Sequence, residues 1–281
     1  MRRTLASPSF TFPSSSSLQT SAFLSFAPGT YRVRVTGSGN PADLRLDATA
    51  VALTSQEVAT LVLTPSVGGT LVNGGVLAEQ AGYTAARNPS ARVRLAAATT
   101  AGAAVSASAA SAPIATNVGS PSVSGYAIVP ATAALNISVN GASVAAPAAT
   151  LVAGSDNTLL VYGSAASPTA SLITDDNHLP ATASNLKLRL VNGLTAGAQP
   201  LSLDAAFAVV ASGVAPESAS TYAVVASSTA LQLDVVGANS LTTVWSSSSL
   251  GTPLSVPGNG VYTLFIFGDA ANATALLRRD R

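Results

Sequence analysis

Apolar and polar residues alternate along most of this chain. Tyr31-Arg32-Val33-Arg34-Val35 sets a tyrosine and two valines on one side and two arginines on the other. Arg92-Val93-Arg94-Leu95, Leu135-Asn136-Ile137-Ser138-Val139, Leu186-Lys187-Leu188-Arg189-Leu190 and Leu231-Gln232-Leu233-Asp234-Val235 follow the same rule. Such period-2 runs predict strands with one buried face, because successive side chains of a strand point to opposite sides of the sheet. Turn residues separate them, among them Pro28-Gly29, Asn140-Gly141, Asn192-Gly193 and Pro257-Gly258-Asn259-Gly260. No window of helical length carries an i, i+3, i+4, i+7 apolar stripe, and the Ala-rich stretch Ala101–Ala112 is interleaved with serine and glycine.

The pattern repeats. Arg92-Val93-Arg94-Leu95 with Thr100-Ala101-Gly102 returns as Lys187-Leu188-Arg189-Leu190 with Thr195-Ala196-Gly197, an offset of 95 positions. Leu159–Gly163 with Ser171–Asp176 returns as Leu264–Gly268 with Ala275–Asp280, offset by 104 to 105. A unit this long is a domain, beyond the roughly 20–50 residues of a solenoid repeat. Strands punctuated by turns predict an all-β fold of tandem antiparallel, immunoglobulin-like β-sandwiches. The expected domains are residues 1–88, 89–180 and 184–281. In the first, Pro28–Val35 takes the place of Ala133–Val139, and Ala59–Leu63 that of Asp156–Val161. Nothing before Ser21 matches Arg92–Leu95, so the first domain is expected to be N-terminally incomplete, through a misplaced start, a fragment or a degraded gene. Its unpaired edge would be an aggregation liability.

Composition narrows the function classes. Of 281 residues 9% are charged, against about 25% in typical chains. The net charge is +1 and Lys187 is the one lysine, which leaves no clustered basic surface for nucleic acid. Without cysteine, disulfides, thiolate metal sites and thiol catalysis are excluded. No apolar run reaches the 18 or so residues of a membrane-spanning helix; Val261–Phe267 is of strand length. Met1-Arg2-Arg3 is basic, but Pro8, Pro13 and Ser14–Ser17 interrupt what would have to be a signal peptide's apolar stretch. An outer-membrane barrel would need strands of about 10 residues and aromatic girdles, which a chain with 5% aromatic residues does not supply.

The order of these motifs resembles DUF4397, a β-rich domain of unknown function found mainly in bacterial exported and surface proteins. An opening strand (Arg92–Leu95, Leu188–Asn192), a central hairpin entered by an aromatic residue (Phe23–Val35, Tyr222–Val235) and a closing hairpin (Tyr262–Gly268 to Leu276–Asp280) carry the resemblance. It covers the chain after about Phe10. The histidine and acidic positions that family members often have after the first strand are Asn192-Gly193-Leu194 and Ala97-Ala98-Thr99 here. The resemblance implies a lipoprotein-like or secreted location at the cell envelope or exterior, and it brings no activity.

Candidate chemistry is sparse. Asp175-Asp176-Asn177-His178 holds two carboxylates and the one histidine, so Asp175, Asp176 and His178 are the candidate metal ligands. The competing reading is an interdomain turn, where Asp and Asn bend the chain. A Ser-His-Asp triad has no Gly-x-Ser-x-Gly elbow to build on. The acids offer no evident pair for glycoside chemistry, and no cofactor is implied. Trp245 is a candidate ligand-binding residue that would stack on a sugar, or else a core plug. Tyr31, Tyr126, Tyr222 and Tyr262 recur at repeat positions and read as core. Arg32, Arg34, Arg92 and Arg94 project from one strand face each and read as solvated outer faces, the alternative being contacts to an acidic partner. The expected function is non-enzymatic, structural or adhesive, with a protein or glycan partner at the cell surface. The alternative is a glycan-binding module built around Trp245.

Overall fold

The computed structural model of the chain describes residues 20–281. The basic and serine-rich motifs between Met1 and Ser17, and the start of the family resemblance at Phe10, lie outside the described residues. The chain forms two compact units. One takes in the described residues up to Thr64 together with Val72–Asn88, and the other comprises Pro65–Leu71 and Pro89–Arg281. The regular secondary structure of the described residues is nearly all strand, as the alternation predicts, with one 3-10 turn at Ser247–Leu250. No helix among them is long and apolar enough to cross a membrane.

The first unit is a hairpin of β1 (Gly29–Gly37) and β2 (Asn40–Leu53) and a three-stranded sheet of β3 (Ala59–Pro65), β4 (Val72–Ala78) and β5 (Gly82–Ala86). On β1, Tyr31, Val33 and Val35 are half-buried while Arg32 and Arg34 are exposed and pair with Asp47. Few apolar side chains of this unit are buried: Leu46, Val51 and Ala78 are, whereas Leu61, Leu63, Leu77 and Tyr83 stay exposed. Ala59–Leu63 lies on β3, beside β4 in this sheet, and the hairpin directly before the second repeat is β4–β5.

The second unit holds two sandwiches of one topology. The first has β6 (Ser90–Thr99), β7 (Ala104–Ala109), β8 (Ala112–Gly119), β9 (Ser122–Val123), β10 (Ala127–Pro130), β11 (Leu135–Val139), β12 (Ala142–Val144), β13 (Asp156–Ser164) and β14 (Ser167–Asp175). The next has β15 (Asn185–Ala196), β16 (Leu201–Ala205), β17 (Ala208–Val214), β18 (Ser218–Ala219), β19 (Ala223–Ala226), β20 (Leu233–Gly237), β21 (Thr243–Ser246), β22 (Gly260–Asp269) and β23 (Asn272–Arg279). One sheet runs β10-β6-β13-β14 and its counterpart β18-β15-β22-β23; the facing sheets run β12-β11-β7-β8 and β17-β16-β20-β21. Pairing is antiparallel except at one place in each sandwich, where β6 lies parallel to β13 and β15 parallel to β22.

Each sandwich closes on its own apolar layer. Val93, Leu95, Val105, Ile137, Leu159 and Val161 fill one, and Leu188, Leu190, Leu203, Leu233, Leu264 and Ile266 the other. The central strands do not stop at one buried face. β22 is buried over Gly260–Phe267, so its sequence reads as a continuous apolar run, the signature of a strand covered on both sides. Its second face, with Phe265 and Phe267, packs with Leu160, Ala96, Ala98 and Val191 in a third apolar cluster that joins the two repeats.

Candidate functional site

That joining face carries the most elaborate polar chemistry among the described residues. Parallel pairing sets Arg94 of β6 beside Thr158 of β13, and Arg189 of β15 beside Thr263 of β22. Both arginines point away from their own sandwich core and toward the other repeat. Arg94 donates through Nη1 to Oδ1 of Asp280, and through Nη2 to its Oδ2 at 3.2 Å. Arg189 returns the contact, donating through Nη2 to Oδ1 of Asp175. The second repeat's arginine thus holds the third repeat's aspartate, and the reverse.

The surrounding groups repeat in the same reciprocal way. Arg94 Nε donates to Thr158 Oγ1 at 2.8 Å and Arg189 Nε to Thr263 Oγ1 at 3.0 Å. Each threonine hydroxyl donates in turn to an aspartate: Thr158 to Asp175 at 2.8 Å and Thr263 to Asp280 at 2.5 Å. The Tyr126 hydroxyl donates to Asp175 at 2.6 Å, and that of Tyr222 to Asp280 at 3.2 Å. Arg92 and Arg94 lie over the Tyr126 ring at 4.3 and 4.7 Å, Lys187 and Arg189 over the Tyr222 ring at 4.8 and 4.6 Å. The face is self-complementary, as in an isologous dimer interface, but joins two parts of one chain.

Arg94 and Arg189 expose 2% of their side chains, and Asp175 and Asp280 none. Burial alone would push Asp175 up, yet Arg189, Arg94 and the Tyr126 hydroxyl hold it below the ordinary carboxylate range. Burial likewise works against the charge of Arg189, and Asp175 more than offsets it, so the guanidinium stays charged. Burial raises the Tyr126 and Tyr222 hydroxyls, which therefore remain donors. Below the polar network, Phe265 and Phe267 stack at 5.6 Å. A Cβ on Gly193 would stand 2.6 Å from the Phe267 ring and 3.1 Å from Ala98 Cβ, so only glycine lets β15 approach this closely.

Two expectations are corrected here. Arg94 is not on a solvated outer face: the outer face of β6 meets another repeat, and there the guanidinium finds Asp280. Tyr126 and Tyr222 lie outside the sandwich cores and cover the arginines. Arg92 is also largely covered, its Nη1 reaching buried Asp156 at 3.1 Å. The carboxyl of Asp156 is raised by burial, against Arg92 and the Asn177 amide.

The three candidate metal ligands are not brought together as a set: Asp176 and His178 are in contact, and Asp175 is turned away from them. Asp175 points into the junction. Asp176, the next residue along the chain, faces the other way, bonding Lys187 Nζ and, at 2.6 Å, His178 Nδ1. Lys187 and His178 hold its carboxyl down against the effect of burial. Among the described residues no group of three or more His, Asp or Glu side chains could hold a metal ion. Trp245 sits on β21 opposite Val235, half-buried against the third repeat's core. One signal in the sequence does mark the junction: in a chain with so few charges, Arg94 and Asp175 recur as Arg189 and Asp280 at the repeat offsets.

Against known proteins, the sequence matches no family model and no curated protein.

Proposed function

We propose that this chain is a non-catalytic structural module of the bacterial envelope or exterior, in which the second and third repeats act as one rigid body. The reciprocal pairing of Arg94 with Asp280 and Arg189 with Asp175 carries this reading. Its ionised groups are paired with one another, threonine and tyrosine protons complete them, and no nucleophile or base is left poised for a substrate. Buried ion pairs contribute little net stability over an apolar isostere, but a mispaired one is costly, so such a network selects one orientation. Fixed orientation is what a spacer or adhesive array needs in order to present surface loops at constant separation to a protein or glycan. The resemblance to DUF4397 supports the surface location. The half-buried setting of Trp245 favours its packing role over sugar stacking.

The test is the relative order of the two repeats in the whole chain. Residual dipolar couplings measured for β6–β14 and β15–β23 should fit one alignment tensor. Two tensors of different magnitude would mean that the repeats reorient independently, and the rigid-module reading would fail.

A further inference from the structure

The junction has two mouths, related by the exchange of repeats, and they differ. At one, a cleft is lined by Arg92, Val123, Ser124, Gly125, Tyr126 and Arg278, and also by Arg279 and the mutually paired Arg94 and Asp280. The equivalence of positions follows from register. Arg278 opposes Thr263 as Ile173 opposes Thr158. Ser124 bonds the backbone of Leu95 as Ser220 bonds that of Leu190, so Gly125 corresponds to Thr221. The same junction therefore packs with Ile173 and Thr221 at one mouth and with Arg278 and Gly125 at the other.

These two differences act in one direction, although Val123 stands here where the other mouth has the smaller Ala219. Gly125 removes bulk, and a Cβ built on it would meet nothing within 4 Å. Arg278 adds a cation where packing accepts an isoleucine. Arg94, Arg189, Arg92 and Lys187 each have an aspartate partner. Among the described residues Arg278 has no carboxylate partner; its guanidinium reaches only the Val123 carbonyl, at 3.5 Å. A guanidinium fork on the rim of an opened cleft, beside a second arginine and a tyrosine, matches the geometry of a planar or tetrahedral oxyanion.

We propose that this mouth is a binding site for an oxyanion group, a carboxylate, sulfate or phosphate on a small ligand, with Arg278 as its principal contact and Arg92 beside it. The site is confined to one side of the junction and goes beyond the structural role of the repeats.

The full chain, labelled with 15N, is titrated at constant ionic strength with acetate, glucuronate, sulfate and inorganic phosphate. Saturable shifts are expected at the amides of Val123–Tyr126 and at Arg278 Nε. Arg278→Ile and Gly125→Thr place at this mouth the residues that the other mouth already carries, so both should fold. Each should bind at least about tenfold more weakly, as expected for loss of a charge-assisted contact or of the space for it. Glucuronate binding more tightly than acetate supports an acidic sugar as the source of the group. Preference for sulfate or phosphate over both carboxylates supports a sulfated or phosphorylated one. Absence of saturation with all four anions overturns the proposal, as does an Arg278→Ile variant that titrates like the parent.

Discussion

Arg94 and Asp280 stand 186 positions apart in the chain and meet in a fully buried, two-pronged ion pair. Within its own repeat the carboxylate that Arg94 meets is Asp175, at 3.8 Å, so its hydrogen-bonded carboxylate partner comes from the other repeat, and a buried charge that loses such a partner is costly. Docking of one repeat on the other is thus coupled to the pairing.

That coupling has a measurable asymmetry. Arg94→Met leaves Asp280 short of its main partner and is expected to destabilise the second unit by about 3–5 kcal/mol in urea titrations. Adding Asp280→Leu should recover much of that loss, since an apolar pair of similar volume is tolerated where a lone charge is not. Additive single effects would mean the two side chains do not interact.

Stability should fall in acid, with a sign set by Asp175. Its folded carboxyl is held below the ordinary range. Its contribution is therefore fully present above the unfolded value of about 3.9 and lost as pH drops below that toward the folded value. Urea midpoints followed downward from about pH 5 should decline, and Asp175→Asn should flatten the decline. Asp156 acts in the opposite direction, because burial raises it: its contribution is present below the unfolded value and lost as pH rises through the folded one.

The apolar floor of the junction should weigh as much as the charges. Phe265 is fully buried between repeats, and Phe265→Ala is expected to cost about 3–5 kcal/mol and to loosen the coupling between the sandwiches. Hydrogen exchange on β6 and β15 would report the loosening.

Gly193→Val tests the close approach of β15. The added side chain would run into the Phe267 ring, with an expected cost of about 1–3 kcal/mol that Phe267→Leu should partly relieve. Thermal unfolding of the single and double variants decides it.

How far the sequence discloses this arrangement depends on the number of faces a strand buries. β1 buries one face, and Tyr31, Val33 and Val35 against Arg32 and Arg34 state it outright. β6 buries two, and the same alternation assigns Arg94 to water because a period-2 pattern cannot tell solvent from a second protein surface. The missing information is in the comparison of repeats, where Arg94 and Arg189 keep step with Asp280 and Asp175. Asp175 and Asp176 show the complementary limit. As neighbours they read as a joint ligand set, but a strand sends adjacent side chains to opposite sides. The mouth at Arg278 was hidden for a third reason: it exists as a departure from the repeat and appears only once register pairs Arg278 with Ile173.

The parallel placement of β6 beside β13 has a bearing on how the chain matures. During synthesis β6 emerges more than sixty residues ahead of the strand that flanks it, and Arg94 precedes Asp280 by 186. At roughly 5–20 residues per second, the ribosome leaves that arginine without Asp280 for about ten to forty seconds, and the apolar surface around Leu160 without Phe265 for about five to twenty. A nascent second repeat is therefore sticky for that interval, and crowded polysomes would offer it the wrong neighbour, the same repeat on the next chain.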